Sequence, residues 1–177
     1  MKTEYLLNRE VDNVLSALTH DNALVVRVAL HTGLRVSDVL QLKTAQLAPR
    51  FWVTESKTQK RRQIGLPQPL LNDLRNAAGP LWVFSARLNP LKHRTRQTVW
   101  KDIKRAAAAF RIPQNVGTHS ARKVYAVDLL RKYGDIDRVR RALNHSSYGV
   151  TLIYAMADKQ LESKNKRRRA AAGRRKV

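Results

Sequence analysis

Arg122 follows His119 by three residues in a segment of helical pattern, so both side chains project from one face and can converge on a single anion. Arg35 stands just after a glycine turn and just before a helix start, where a guanidinium can meet an anion beside exposed backbone N–H groups. Lys57 lies at the bend of a basic hairpin and could reach over the same anion as a flexible proton donor. His145 ends one helix, and Tyr154 follows it by nine residues on the next. Two Arg, one Lys, two His and one Tyr are enough for phosphoryl transfer without a metal or other cofactor.

Composition narrows the partners of such chemistry. The 177 residues carry 35 Lys plus Arg against 13 Asp plus Glu, a net charge of +22. Residues 159–177 hold nine Lys or Arg and one Glu, so the first 158 residues keep 26 cations against 12 anions. The body is therefore basic, not only its tail, and the expected partner is a polyanion, DNA or RNA first, with an anionic membrane surface as the weaker alternative. An apolar share of 43% marks a folding chain, and its length suits one domain. Without cysteine there is no disulfide, zinc ribbon or thiol nucleophile, and five scattered His form no zinc pattern. No apolar run reaches membrane-span length and the N-terminus lacks a signal-peptide core, so a cytoplasmic, nucleoid-associated protein is expected.

The elements that must position these residues follow from periodicity. Val11, Leu15 and Leu18, then Leu24, Val25, Val28 and Ala29, predict two helices, the second nearly all buried and stopped by Gly33. Ser37 and Asp38 open a third helix, expected to run through Leu47. Residues 51–66 predict a hairpin with a basic tip from Lys57 to Arg62, and 81–84 a third strand. After a short helix ending at Gly79 and a basic loop from Ala86 to Arg96, a helix runs through Phe110 with Val99, Ile103, Ala106 and Ala107 on one face. Thr118 caps a helix through Tyr133, Gly134 stops it, and further helices span Asp135 to about Leu143 and the region around Leu152 to Met156.

The ordered segments TGLRVSD, SKTQKRR, THSARK, LNHSS and IYAM resemble the catalytic domain of the tyrosine recombinases, the phage integrase family, over roughly residues 4–158. The resemblance implies an α+β, mainly α-helical DNA breaking-rejoining fold with a small antiparallel sheet. It also implies a site-specific recombinase of a mobile genetic element that cuts DNA through a 3′-phosphotyrosyl bond. Carried over motif by motif, Tyr154 is the nucleophile, Arg35 and Arg122 hold the non-bridging oxygens, and Lys57 protonates the leaving 5′ oxygen. His119 assists as base, His145 donates to the phosphate and Asp38 orients the site. Ser120 and Ala121 within the second motif, and Asn144 before the last His, depart from the common pattern without altering these side chains.

Blander roles stand beside each of these. Arg35 could be one surface cation among 35 Lys and Arg, the Lys57 hairpin a general phosphate binder, and His119 a helix cap. Likewise His145 could be a satisfied core histidine and Tyr154 a packing residue. Tyr148 is a rival nucleophile, but the spacing of Tyr154 fits the family better, and Tyr125 reads as packing. Lys60, Arg61, Arg62, Arg94, Arg96, Lys123 and the tail residues Arg167, Arg168 and Arg169 are expected DNA contacts. The organisation expected is a catalytic domain over 1–158 and a basic, flexible tail over 159–177. The family's N-terminal core-binding domain is expected to be absent, and a homo-oligomer, a tetramer on paired DNA sites, is the expected assembly. A type IB topoisomerase-like swivelase and a truncated, non-catalytic modulator of a full-length recombinase are the alternatives.

Overall fold

The computed structural model describes residues 4–144; the expected helix around Leu152 to Met156, His145, Tyr154 and the tail lie outside them. The chain divides by packing into two units, Met1–Tyr125 and Ala126–Val177.

In the first unit α1 (Asn8–Ala17) and α2 (His20–Thr32) form the expected helical pair. Glu10 turns back to accept a hydrogen bond from the Leu7 backbone N–H at 2.8 Å, satisfying a donor that the helix start leaves open. α2 is the central helix: Leu24, Val25, Val28 and Ala29 are at most 2% exposed, and it packs against α1, α3 (Val36–Leu40), α4 (Gln68–Ala77) and α5 (Arg96–Ala109). Burying each such Leu or Val contributes about 1.5–3 kcal/mol, which is why this helix tolerates so little polarity. It ends at Gly33, whose φ of +66° is the left-handed stop expected there.

Three expectations needed correction. The third helix ends at Leu40 rather than Leu47, because the segment after it is drawn into backbone pairing with residues 81–83. Val83 N donates to Leu42 O at 2.9 Å, Thr44 N to Leu81 O at 3.1 Å, and Lys43 bridges Trp82. Only a short 3-10 turn, Thr44–Gln46, follows. For the same reason the 81–84 segment does not join the hairpin: β1 (Arg50–Thr54) and β2 (Arg61–Gly65) form an antiparallel sheet of their own. A second two-stranded sheet, β3 (Ser85–Ala86) with β4 (Asn89–His93), occupies the stretch expected as a loop. The mainly helical α+β architecture stands. Among the described residues, no helix is long and apolar enough to cross a membrane.

Asp102 on α5 fastens the corner between α1 and α2. Its Oδ2 accepts from Thr19 N (2.9 Å), Thr19 Oγ1 (2.9 Å) and Asn22 Nδ2 (2.7 Å), and its Oδ1 from Arg105 Nη2 at 2.6 Å. Arg105 also donates to the carbonyl of Ala17 at the end of α1. α6 (Ser120–Tyr133) starts in the first unit. In the second unit it stops at Gly134, with φ +64°, and Asp135 caps α7 (Ile136–Ala142) by accepting from Asp137 N at 2.8 Å and Arg138 N at 3.1 Å.

Burial pushes the Asp102 carboxyl upward, but the hydrogen bonds from Asn22, Thr19 and Arg105 outweigh it and hold its pKa at about 2, below the usual 3.8. A carboxyl depressed on folding stabilises the protein above the unfolded value and loses that contribution as pH falls through the folded one. Chemical denaturation of the wild type is therefore expected to lose about 2 kcal/mol between roughly pH 4 and pH 2 from this group. Asp102→Asn is expected to be less stable at pH 7 and to show a shallower loss over that interval; an unchanged slope would assign the acid sensitivity elsewhere.

Candidate active site

The hairpin strands alternate their faces, so Phe51 and Val53 point inward, and Glu55, next in the same period, follows them into the core with no exposed surface. Across the ladder Phe51 faces Ile64 and Val53 faces Arg62, so Arg62 shares that inward face. A buried carboxylate must be paired. Glu55 Oε2 accepts from Arg35 Nη1, and Glu55 Oε1 lies 3.5 Å from Arg62 Nε. Arg62 Nη2 also donates to the Thr32 carbonyl at 2.5 Å, on the last turn of α2, where a cation suits both the free carbonyl and the helix dipole. Burial lowers the pKa of Arg62, while Glu55, Tyr125 and Asp38 work in the other direction.

Asp38 is the second buried carboxylate. Its Oδ1 accepts from Ser56 N at 3.0 Å and Ser56 Oγ at 2.6 Å, and its Oδ2 lies 3.8 Å from Arg35 Nη1, an ion pair rather than a hydrogen bond. Arg35, whose side chain is 15% exposed, is thus held between Glu55 and Asp38 at the start of α3. Arg122 on α6 is 3% exposed and donates through Nη1 to the Gly33 carbonyl at 2.5 Å, two residues from Arg35 in the chain. The same helix crowds Gly33 from its side-chain direction, since a Cβ there would sit 2.4 Å from Tyr125 Cδ1.

His119 lies just before α6, its carbonyl accepting from Lys123 N at 3.2 Å, and the residue is exposed. Partial desolvation, then the nearby cations Arg96, Arg122, Arg35 and Lys123, push its pKa below the ordinary 6.5, so it is neutral at pH 7 and able to accept a proton. Lys57 is exposed in the turn between β1 and β2. The structure thus brings Arg35, Asp38, Arg122 and His119 to one place, with Lys57 on the turn that Ser56 and Glu55 dock against Asp38 and Arg35.

The expected DNA contacts divide by burial. Lys60, Arg61 and Arg96 are exposed, Arg61 lying 5.4 Å from the Trp52 ring centroid, and Lys123 is half-buried. Arg62 and Arg94 are turned inward, at 13% and 15% side-chain exposure. Arg62 serves Glu55 and Thr32; Arg94 pairs with Asp21 and donates to Asn22 Oδ1 at 3.0 Å. Neither Glu55 nor the inward role of Arg62 was expected, although the two-residue period from Phe51 and Val53 already pointed the only carboxylate of the hairpin at the core.

The model of the phage integrase family matches residues 4–161, and the chain belongs to that family. It is 31% identical over 135 residues to the probable integrase/recombinase YoeC of Bacillus subtilis, covering 73% of this chain and 74% of that protein. Against other curated tyrosine recombinases it spans about half their length. In fold it is similar to the catalytic domain of bacteriophage HP1 integrase, with a TM-score of 0.63, 23% identity, and 93% of this chain and 95% of that one covered. A lambda integrase dimer bound to a COC′ core site gives a TM-score of 0.75 at 18% identity, covering 88% of this chain and 60% of that one.

Gly33→Ala is expected to cost at least about 1–2 kcal/mol from the left-handed backbone alone, with more from the Tyr125 ring. Urea unfolding of Gly33→Ala, Tyr125→Ala and the double variant measures this: the double should lose clearly less than the sum. Additive losses would mean that the ring imposes no constraint on the turn.

Proposed function

We propose that this chain is the catalytic part of a site-specific DNA recombinase that cleaves and rejoins duplex DNA through Tyr154, without a metal. The observation that carries this reading is the convergence of Arg35, Arg122 and a neutral His119 beside a docked Lys57 turn. Tyr154 Oη attacks the phosphorus, the P–O5′ bond breaks, and a 3′-phosphotyrosyl bond retains the bond energy for rejoining. Arg35 and Arg122 balance the charge that grows on the non-bridging oxygens, which is the work a metal would otherwise do. His119 takes the phenolic proton, Lys57 gives one to the departing 5′ oxygen, and His145 donates a hydrogen bond to the phosphate.

Duplex DNA as partner is supported by the net charge of +22, by the exposed Lys60, Arg61 and Arg96, and by the DNA named in the lambda integrase structure. The dimer in that same structure supports assembly of copies on DNA, which we extend to a tetramer on paired sites. The tail residues Arg167, Arg168 and Arg169 add sequence-independent phosphate contacts.

Covalent capture in EDTA tests the reading. Nicked duplexes of random sequence, incubated with wild type and Tyr154→Phe and run on a denaturing gel, should give an adduct with wild type only, while binding in low salt stays within about twofold. An adduct from Tyr154→Phe would remove this nucleophile. Capture at a defined sequence supports a recombinase; capture at any sequence, with relaxation of supercoiled plasmid, would move the assignment to a swivelase.

The pH profile of single-turnover cleavage is a second check. Because His119 is held below 6.5, the acid limb should lie below pH 6.5 and should flatten in His119→Gln. A limb unchanged by that substitution would assign the base to another group.

A further inference from the structure

Lys57 is exposed and has four rotatable side-chain bonds, so only the backbone of its turn can fix where its ammonium works. That turn is closed on itself around Glu55: Glu55 N donates to Lys60 O at 3.0 Å, and Gln59 N donates to Glu55 O at 2.8 Å. Gln59 takes a φ of +55° to complete it, and Gln59 Nε2 donates to Ser56 O at 2.7 Å. The Glu55 carboxylate then ties the closed turn to the site. Its Oε2 accepts from Arg35 and lies 3.4 Å from Thr58 Oγ1, one residue past Lys57. Ser56 adds a second pin through Asp38.

A strand end needs no carboxylate for stability. The inward face of this hairpin is filled by Phe51, Val53 and Ile64, and buried ion pairs are commonly replaceable by apolar residues with no loss of stability. Nor does Glu55 favour DNA binding, since it offsets positive charge next to Arg35. A fully buried carboxylate at the junction of two phosphate-handling groups is explained by geometry: it makes the place of one depend on the place of the other.

We propose that Glu55 is a positioning residue for strand cleavage, its carboxylate locking the hairpin turn onto Arg35 so that Lys57 is held over the 5′ oxygen of a phosphate gripped by Arg35. This rests on the strand-transfer reading above, and deepens it. Glu55 touches neither substrate nor reacting atoms; it acts through Lys57.

The test separates the acid from the rest of the site. A DNA substrate with a 5′-thiolate leaving group needs no proton, so a defect confined to Lys57 disappears on it. In single-turnover cleavage run well below the melting temperature of the variant, E55Q is expected to lose at least about tenfold on the all-oxygen substrate and less than about threefold on the thiolate, with DNA affinity near wild type and a lowered Tm that weighs on both substrates alike. E55Q combined with K57A should cleave no more slowly than K57A alone.

Equal losses on both substrates, or additive losses in the double variant, would overturn the proposal and make Glu55 a support of Arg35 or of the fold. If E55Q does not fold, S56A carries the test, since it removes only the hydroxyl bond from an exposed residue to Asp38. A smaller defect, again relieved by the thiolate, is expected, and an unrelieved one overturns the proposal. Failure of wild type to form a tyrosyl adduct on either substrate would instead overturn the strand-transfer reading itself, and this inference with it.

Discussion

Arg35 keeps a full positive charge largely out of water, and two carboxylates with no exposed side-chain surface, Glu55 and Asp38, hold it there. Removing one partner of such a cluster leaves an uncompensated buried charge, a cost of several kcal/mol. Asp38 flanks Arg35 independently of Glu55, so the guanidinium has two buried carboxylate partners. The hairpin is tied to α3 by these contacts, because Ser56 binds Asp38 and Glu55 binds Arg35. Arg62 extends the cluster to the last turn of α2 through the Thr32 carbonyl.

The second guanidinium reaches the same place by another route. Arg122 is nearly as deeply buried as the core leucines, and one of its N–H groups donates to the Gly33 carbonyl. Gly33 therefore ends α2 in a left-handed turn, leaves room for Tyr125, and offers Arg122 an acceptor two residues from Arg35. A glycine is needed there for sterics as much as for backbone conformation. The proton affinity of His119 falls first through partial desolvation and then because Arg96, Arg122, Arg35 and Lys123 all raise the local potential.

Among the described residues the arginines around the site divide into two populations that composition cannot tell apart. Arg35, Arg62, Arg94 and Arg122 work inside, each with a carboxylate or carbonyl partner. Arg61 and Arg96 stand exposed with Lys60, where they contribute to the outward field. A basic polypeptide could carry all its cations outside; this one spends several on holding its own site together. The chain spans about half the length of several curated tyrosine recombinases that it matches.

The amino-acid sequence by itself determined the helical frame and the family, and it singled out the candidate site residues. Apolar residues at helical spacing, a glycine stop and a period-two hairpin are local signals, and the five ordered motifs carry their meaning in residue type and order. Tertiary structure alone decided what joins to what. Leu42, Lys43 and Thr44 have no local reason to leave the helix, but segment 81–83 offers them backbone partners. Arg62 and Arg94 look like their exposed neighbours until Glu55, Thr32 and Asp21 arrive from elsewhere in the chain. A charged side chain is inside or outside according to whether a distant partner repays its desolvation, and distance along the chain hides that partner.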